Sequence, residues 1–122
     1  MLIEENPPQG EAFFYREHEK LIEYGGGNSA VPLLYRSGGA VPTPEAVFDG
    51  LTADDLLQQI DSEQPEIWLL GSGAKQRFVH PKITAQLAAA GIALECMNTA
   101  AACRTLLLLE GEGRKVWAWL WP

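Results

Sequence analysis

A chain of 122 residues, 47% hydrophobic and 20% charged, is long enough to bury one core and is neither disordered nor fibrous in composition. Its net charge of −7 disfavours generic nucleic-acid binding. No apolar run approaches the ~20 residues of a membrane span, since Leu106 to Leu109 spans four residues and Val116 to Trp121 six.

The charge is uneven along the chain. Residues 1–70 hold thirteen acids and three bases, whereas residues 71–122 hold three acids and six bases. Four of those bases, Lys75, Arg77, Lys82 and Arg104, flank the glycine turn and the Ala-Cys-Arg segment described below. The start, Met1 to Pro8, has neither the basic and apolar regions of a secretory signal nor the arginines of a mitochondrial presequence, so a cytoplasmic protein is expected. Cys96 and Cys103 then read as thiols rather than a disulfide. Neither their spacing nor the separation of His18 from His80 suggests a metal site, and no cofactor is expected.

Residues 1–10, with Pro7, Pro8 and Gly10, read as a loose tail before a single domain over 11–122. Phe13 to Tyr15 has strand composition, and Gly25 to Asn28 forms a turn after Leu21-Ile22. Val31 to Tyr35 reads as a strand ended by Gly38-Gly39, with Pro32 confined to its start or to an edge. Val41 to Gly50 carries two prolines and reads as irregular, with a short edge strand at most. A helix is expected from about Ala53 to Asp61. Thr52 is its N-cap, Asp54 and Asp55 suit its positive end, and Leu51 can staple onto Leu56. Pro65 prevents its continuation.

Glu66 to Leu70 is continuously apolar after its first residue, the pattern of a strand buried on both faces. Pro81 suits a first helical position, and Gly91 suits the end of that helix. Ile92 to Met97 is the next strand. Strand, helix and strand make a βαβ unit at about 66–97 with a right-handed crossover. Asn98 or Thr99 then caps a helix through Leu109 that Gly111 and Gly113 end. Val116 to Trp121 is the last strand.

The turn Gly71-Ser72-Gly73-Ala74-Lys75-Gln76 follows a strand, where α/β proteins often hold phosphate. It lacks the third glycine of a dinucleotide fingerprint and the Gly-Lys-Ser/Thr of a P-loop. Ser72 lacks the flanking glycines of a nucleophile elbow, since these positions are Leu70 and Ala74. A backbone role for the turn is therefore the first reading. The alternative is a small anion or partner site built from Gly71, Ser72, Gly73, Lys75, Arg77 and Arg104. Cys103 reads as a packing residue among Ala100, Ala101 and Ala102, with a thiolate activated by Arg104 as the alternative. No catalytic set is evident. Trp117, Trp119 and Trp121 share one face of the last strand, which is either covered by a helix layer or a candidate interface. Trp119 is expected in the core and Trp121 at an exposed interface.

From about Glu66 onward the chain resembles domain-of-unknown-function family 498. The resemblance rests on Leu70-Gly71-Ser72-Gly73 with Phe78 and Pro81, on Gly91-Ile92, on Met97-Asn98-Thr99 with Ala101 to Thr105, and on Gly113 to Val116. Leu106 and Leu107 replace a Tyr-Asn pair common in the family, and tryptophans replace small aliphatics in the last strand. The resemblance implies a three-layer α/β domain with a mixed central sheet and extra β structure from the N-terminal half. The family's eukaryotic relatives include a mitochondrial factor that helps assemble respiratory complex I, and no catalytic residues carry over. The expected function is accordingly non-catalytic binding or assembly with a protein partner, self-association being a second option. The alternative is a small-molecule or anion-binding protein or enzyme using Gly71 to Arg77 with Arg104.

Overall fold

The structure is a computed structural model that describes residues 12–36 and 38–122. The expected tail at 1–10 lies outside the described residues. A five-stranded mixed sheet divides the core into two layers of side chains. In chain order its strands are Leu33–Arg36, Gly39–Pro42, Ile67–Ser72, Ala93–Met97 and Val116–Trp121. A smaller antiparallel sheet precedes them, formed by Phe13–Arg16, Leu21–Tyr24 and Gly27–Ser29. Numbered along the chain, the small sheet is β1-β2-β3 and the large sheet has the spatial order β5-β4-β8-β6-β7. Strands β6, β7 and β8 run parallel, and β4 is antiparallel to both β5 and β8. The last strand of the chain thus lies at the centre of the sheet. This explains why all six of its residues are buried, including the small Ala118.

The three helices are α1 (Ala53–Leu57), α2 (Pro81–Ala89) and α3 (Thr99–Gly111). Leu34, Trp68, Leu70 and the three tryptophans of β8 pack with Leu51, Leu56 and Leu87, which places α1 and α2 on one face. Leu33, Tyr35, Leu69, Ala118 and Leu120 pack with Phe13, Ile22, Ala102, Cys103 and Leu106, which places α3 and the small sheet on the other. The fold is therefore the three-layer α/β domain expected, with the βαβ unit formed by β6, α2 and β7.

The capping signals act as the residue types dictate. The Thr52 hydroxyl accepts from Asp55 N–H at 3.1 Å while the Asp55 carboxylate accepts from Thr52 N–H at 2.9 Å, a reciprocal capping box. Asn98 caps α3 by accepting from Ala101 N–H at 2.8 Å. Gly91 and Gly113 follow α2 and α3 with φ of +87° and +79°, a conformation that glycine adopts without a Cβ clash. The first helix is shorter than the expected span to Asp61. After Leu57 the chain tightens into three-residue turns, with Gln59 N–H on Leu56 O and Ile60 N–H on Leu57 O. Arg36 donates to the Gln59 carbonyl that a longer helix would need.

Among the described residues, one carboxylate lies inside. Glu110, in the last turn of α3, is 9% exposed. Its Oε2 accepts from the Tyr35 hydroxyl at 2.5 Å, and its Oε1 has no hydrogen-bond partner. Burial raises its pKa above the ordinary 4.5, only partly opposed by the Tyr35 bond. The negative end of the helix dipole acts in the same direction as burial. The folded chain thus keeps a proton that the unfolded chain releases near pH 4.5. The stability from this linkage is fully present below 4.5 and is lost as pH rises through the raised folded value. Chemical denaturation just above pH 4.5 and at neutral pH should show this decline, and Glu110→Gln should remove its share of the slope. An unchanged slope in the variant would assign it to other groups.

Candidate functional site

The glycine turn is knitted into its surroundings by its own polar groups. Ser72 is 2% exposed. Its hydroxyl donates to Lys75 O at 2.7 Å and accepts from Arg77 N–H at 2.9 Å. Gly73 exchanges two bonds with the start of α3: its N–H donates to Thr99 Oγ1 at 2.7 Å, and its carbonyl accepts from Thr99 N–H at 2.9 Å. The Thr99 hydroxyl in turn donates to Trp121 O at 2.6 Å. One side chain thereby ties the ends of β6 and β8 to the first residue of α3.

Gly71 is required by proximity rather than by φ. A Cβ there would lie 3.0 Å from Leu120 Cδ2, 3.1 Å from Ala102 Cβ and 3.1 Å from Thr99 Cα. Helix α3 therefore rests directly on the β6 backbone, and Ala102 is small for the same reason. Gly73 has φ +91°, the left-handed turn that starts the loop to α2.

Arg77 is fully engaged. Its Nε and Nη2 donate to Ser72 O at 3.2 and 3.0 Å, and its Nη1 donates to Asp49 at 3.1 Å. Its guanidinium lies 4.6 Å from the centre of the Phe48 ring. It is consequently held on the face of the sheet covered by α1 and α2. Arg104 is exposed on α3, the helix that covers the opposite face. Lys75 is exposed on the loop. The six residues grouped in the sequence analysis thus divide: Gly71, Ser72, Gly73 and Arg77 form one hydrogen-bonded turn, and Arg104 does not join it. Among the described residues no three of His, Cys, Asp and Glu cluster as metal ligands would.

Cys103 is buried, and desolvation pushes its thiol up to about 12, opposed only weakly by Arg104. The packing reading of Cys103 thus holds over the activated thiolate.

The tryptophan face requires a correction. Trp117, Trp119 and Trp121 are 3%, 4% and 7% exposed, so Trp121 is buried and not at an open interface. The covering element is the Pro-rich segment at 43–51, which the sequence presented as irregular. Phe48 meets Trp121 edge-on at 5.3 Å, and Trp121 Nε1 donates to Ala46 O at 3.1 Å. Trp119 Nε1 donates to Thr43 Oγ1 at 2.9 Å, and the Arg36 guanidinium lies 5.3 Å from the Trp117 ring centre. Trp68 of β6, which the sequence analysis did not set apart, completes the layer against Trp117 and Trp119.

The loop from Gly73 to α2 is held with equal economy of motion. Gln76 Nε2 donates to Cys96 O at 3.1 Å, Val79 packs against the core, and His80 Nδ1 accepts from Lys82 N–H at 3.0 Å as the cap of α2. Phe78, between two inward-turned residues, is 73% exposed. The signal for it was present in the sequence, since Phe78 belongs to the resemblance, but its exposure follows only from the loop's pinning.

The architecture is that of a small three-layer α/β domain whose glycine turn forms a hydrogen-bonded junction between β6, β8 and α3. The chain belongs to the family described as protein of unknown function (DUF498/DUF598), which matches residues 18–121. It is similar to a Bordetella parapertussis protein of known crystal structure, at 29% identity over 96% of this chain and 99% of that one, with a TM-score of 0.79. A Xanthomonas campestris protein solved by NMR is 25% identical over 98% of this chain and 91% of that one, with a TM-score of 0.74. A Bordetella pertussis protein described as a Mth938-like domain shares the fold at 24% identity, with 100% of this chain and 91% of that one covered and a TM-score of 0.75. A comparison with curated proteins finds no match. Among the described residues no helix is long and apolar enough to cross a membrane.

Proposed function

We propose that this chain is a non-catalytic binding or assembly protein acting on a protein partner. The observation that carries this reading is the internal pairing of the glycine turn. The Ser72 hydroxyl, Gly73 N–H and Arg77 guanidinium, the groups a phosphate or an acyl intermediate would need, are all bonded within the chain. Releasing the buried Ser72 hydroxyl and Gly73 N–H for a ligand would leave their partners unpaired, at about 1–3 kcal/mol each, and Arg77 would give up its bonds to Ser72 O and Asp49. The finer reading is a role in assembling a larger complex, as the family resemblance implies for respiratory complex I in eukaryotic relatives. A cytoplasmic setting is supported by the two free thiols, Cys96 and Cys103.

The test is affinity capture of the tagged chain from its native cells at several salt concentrations, followed by reconstitution of any recovered pair from purified components. A defined stoichiometric complex is the expected result. Recovery of no partner under all conditions would overturn the proposal. A parallel thermal-shift screen with inorganic phosphate, nucleotides and carboxylates addresses the ligand reading. A shift abolished by Arg77→Ala or Arg104→Ala would replace partner binding with anion binding.

A further inference from the structure

We propose that Phe78 is the anchor of a docking surface for an acidic amphipathic segment of a partner protein, with the partner's apolar face on the Phe78 ring and its carboxylates on Lys75 and Lys82. This rests on the partner-binding reading above and deepens it by naming the surface and the chemistry of what it takes.

Phe78 is 73% exposed, more than Val47 at 64%, Leu108 at 62% or Phe14 at 60%. Single exposed apolar residues are common on soluble proteins and need no function. Phe78 differs in how it is held. On its N-terminal side, Arg77 is fixed to Ser72 and Asp49 and lies over Phe48. On its C-terminal side, Val79 packs on the core. Gln76 and His80 close the loop at both ends. The aromatic ring is thus displayed on a backbone that has already lost its freedom. A preorganised aromatic of this kind is what binding hot spots use, because ordering it on association costs little.

Charge selects the occupant. Residues 74–82 contain Lys75, Arg77 and Lys82 and no acid, in a chain of net charge −7. Arg77 is paired with Asp49, whereas Lys75 and Lys82 are exposed, three residues before Phe78 and four after it in the sequence. The complement is an apolar surface flanked by carboxylates, which an acidic amphipathic helix presents on one side.

The probe is a fluorescein-labelled synthetic helical peptide with leucines on one face and glutamates elsewhere, titrated with the full chain and read by anisotropy. Its control is the same peptide with lysine for every glutamate. The acidic peptide is expected to bind in a Phe78-dependent way, whereas binding of the basic peptide to the acidic remainder of the chain should be the same in Phe78→Ala. Phe78→Ala should weaken binding by at least about tenfold, the loss typical of an anchor residue. Lys75→Glu with Lys82→Glu should weaken it further and remove its salt dependence. The exposure of Phe78 means that Phe78→Ala should melt with the wild type, so lost binding is not lost folding. Leu108→Ala, on the helix that covers the opposite face, should bind as the wild type does. No binding of the acidic peptide, equal binding by Phe78→Ala, or equal loss in Leu108→Ala would each overturn the proposal. Concentration-dependent dimerisation abolished by Phe78→Ala and unaffected by the peptide would also overturn it, by assigning the surface to a second copy of the chain. Phe78→Ala that retains a partner reconstituted as above would sink this surface while leaving the partner-binding reading intact.

Discussion

Replacing Trp119 with alanine is expected to destabilise the chain by about 3–5 kcal/mol, the range for truncating a buried large aromatic. Trp119 is 4% exposed, stacks on Trp68 at 6.3 Å between ring centres and meets Trp121 at 5.4 Å. It lies on β8, the centre of the sheet, so its neighbours cannot close the gap without moving β4 or β6. Its indole N–H also donates to Thr43 Oγ1, whose own hydroxyl donates to Pro32 O at 3.0 Å. Losing the ring therefore loosens the segment that covers Trp121 as well. Urea unfolding measures the effect. Trp119→Phe, which refills most of the volume but lacks the N–H, should fall well below the alanine variant. A loss under about 1 kcal/mol for Trp119→Ala would mean that the layer is not packed as described.

The parts of this fold legible in the sequence are those set by neighbouring residues. Thr52 with Asp55, Asn98 with Ala101, Pro81 at a first helical turn and Gly91 after its end all act over four residues or fewer, and the structure realises each of them. The continuous apolar run at Ile67 to Leu70 correctly marked a strand covered on both faces. What escaped depends on contacts distant in sequence. That Trp121 is buried depends on Phe48 and Ala46, more than seventy positions away, in a segment whose prolines hid any periodic pattern. That Arg77 is engaged depends on Asp49, twenty-eight positions away. Ser72, Lys75 and Arg77 are the residue types of an anion site and also those of a self-satisfied turn. Composition cannot separate the two, because the difference lies in where the hydroxyl and the guanidinium point.

Thr99→Val is expected to cost about 2–6 kcal/mol, more than the smaller Thr99→Ser, because it strands two buried polar groups at about 1–3 kcal/mol each. Thr99 is 0% exposed, and its hydroxyl accepts from Gly73 N–H at 2.7 Å and donates to Trp121 O at 2.6 Å. Valine keeps the shape and deletes both bonds, leaving a donor at the end of β6 and an acceptor at the end of β8. Serine keeps both bonds and deletes one methyl, a loss of about 0.8 kcal/mol. The order of the two variants separates polar tethering from packing, since packing alone would make valine the milder change. Equilibrium unfolding supplies the order, and faster hydrogen exchange at Gly73 N–H in the valine variant would locate the broken tether. A valine variant as stable as the wild type would mean that the glycine turn is held by Ser72 and Arg77 alone. The Gly73 N–H would then be less tightly committed to the fold than its bonding implies, and anion binding at that N–H would regain force.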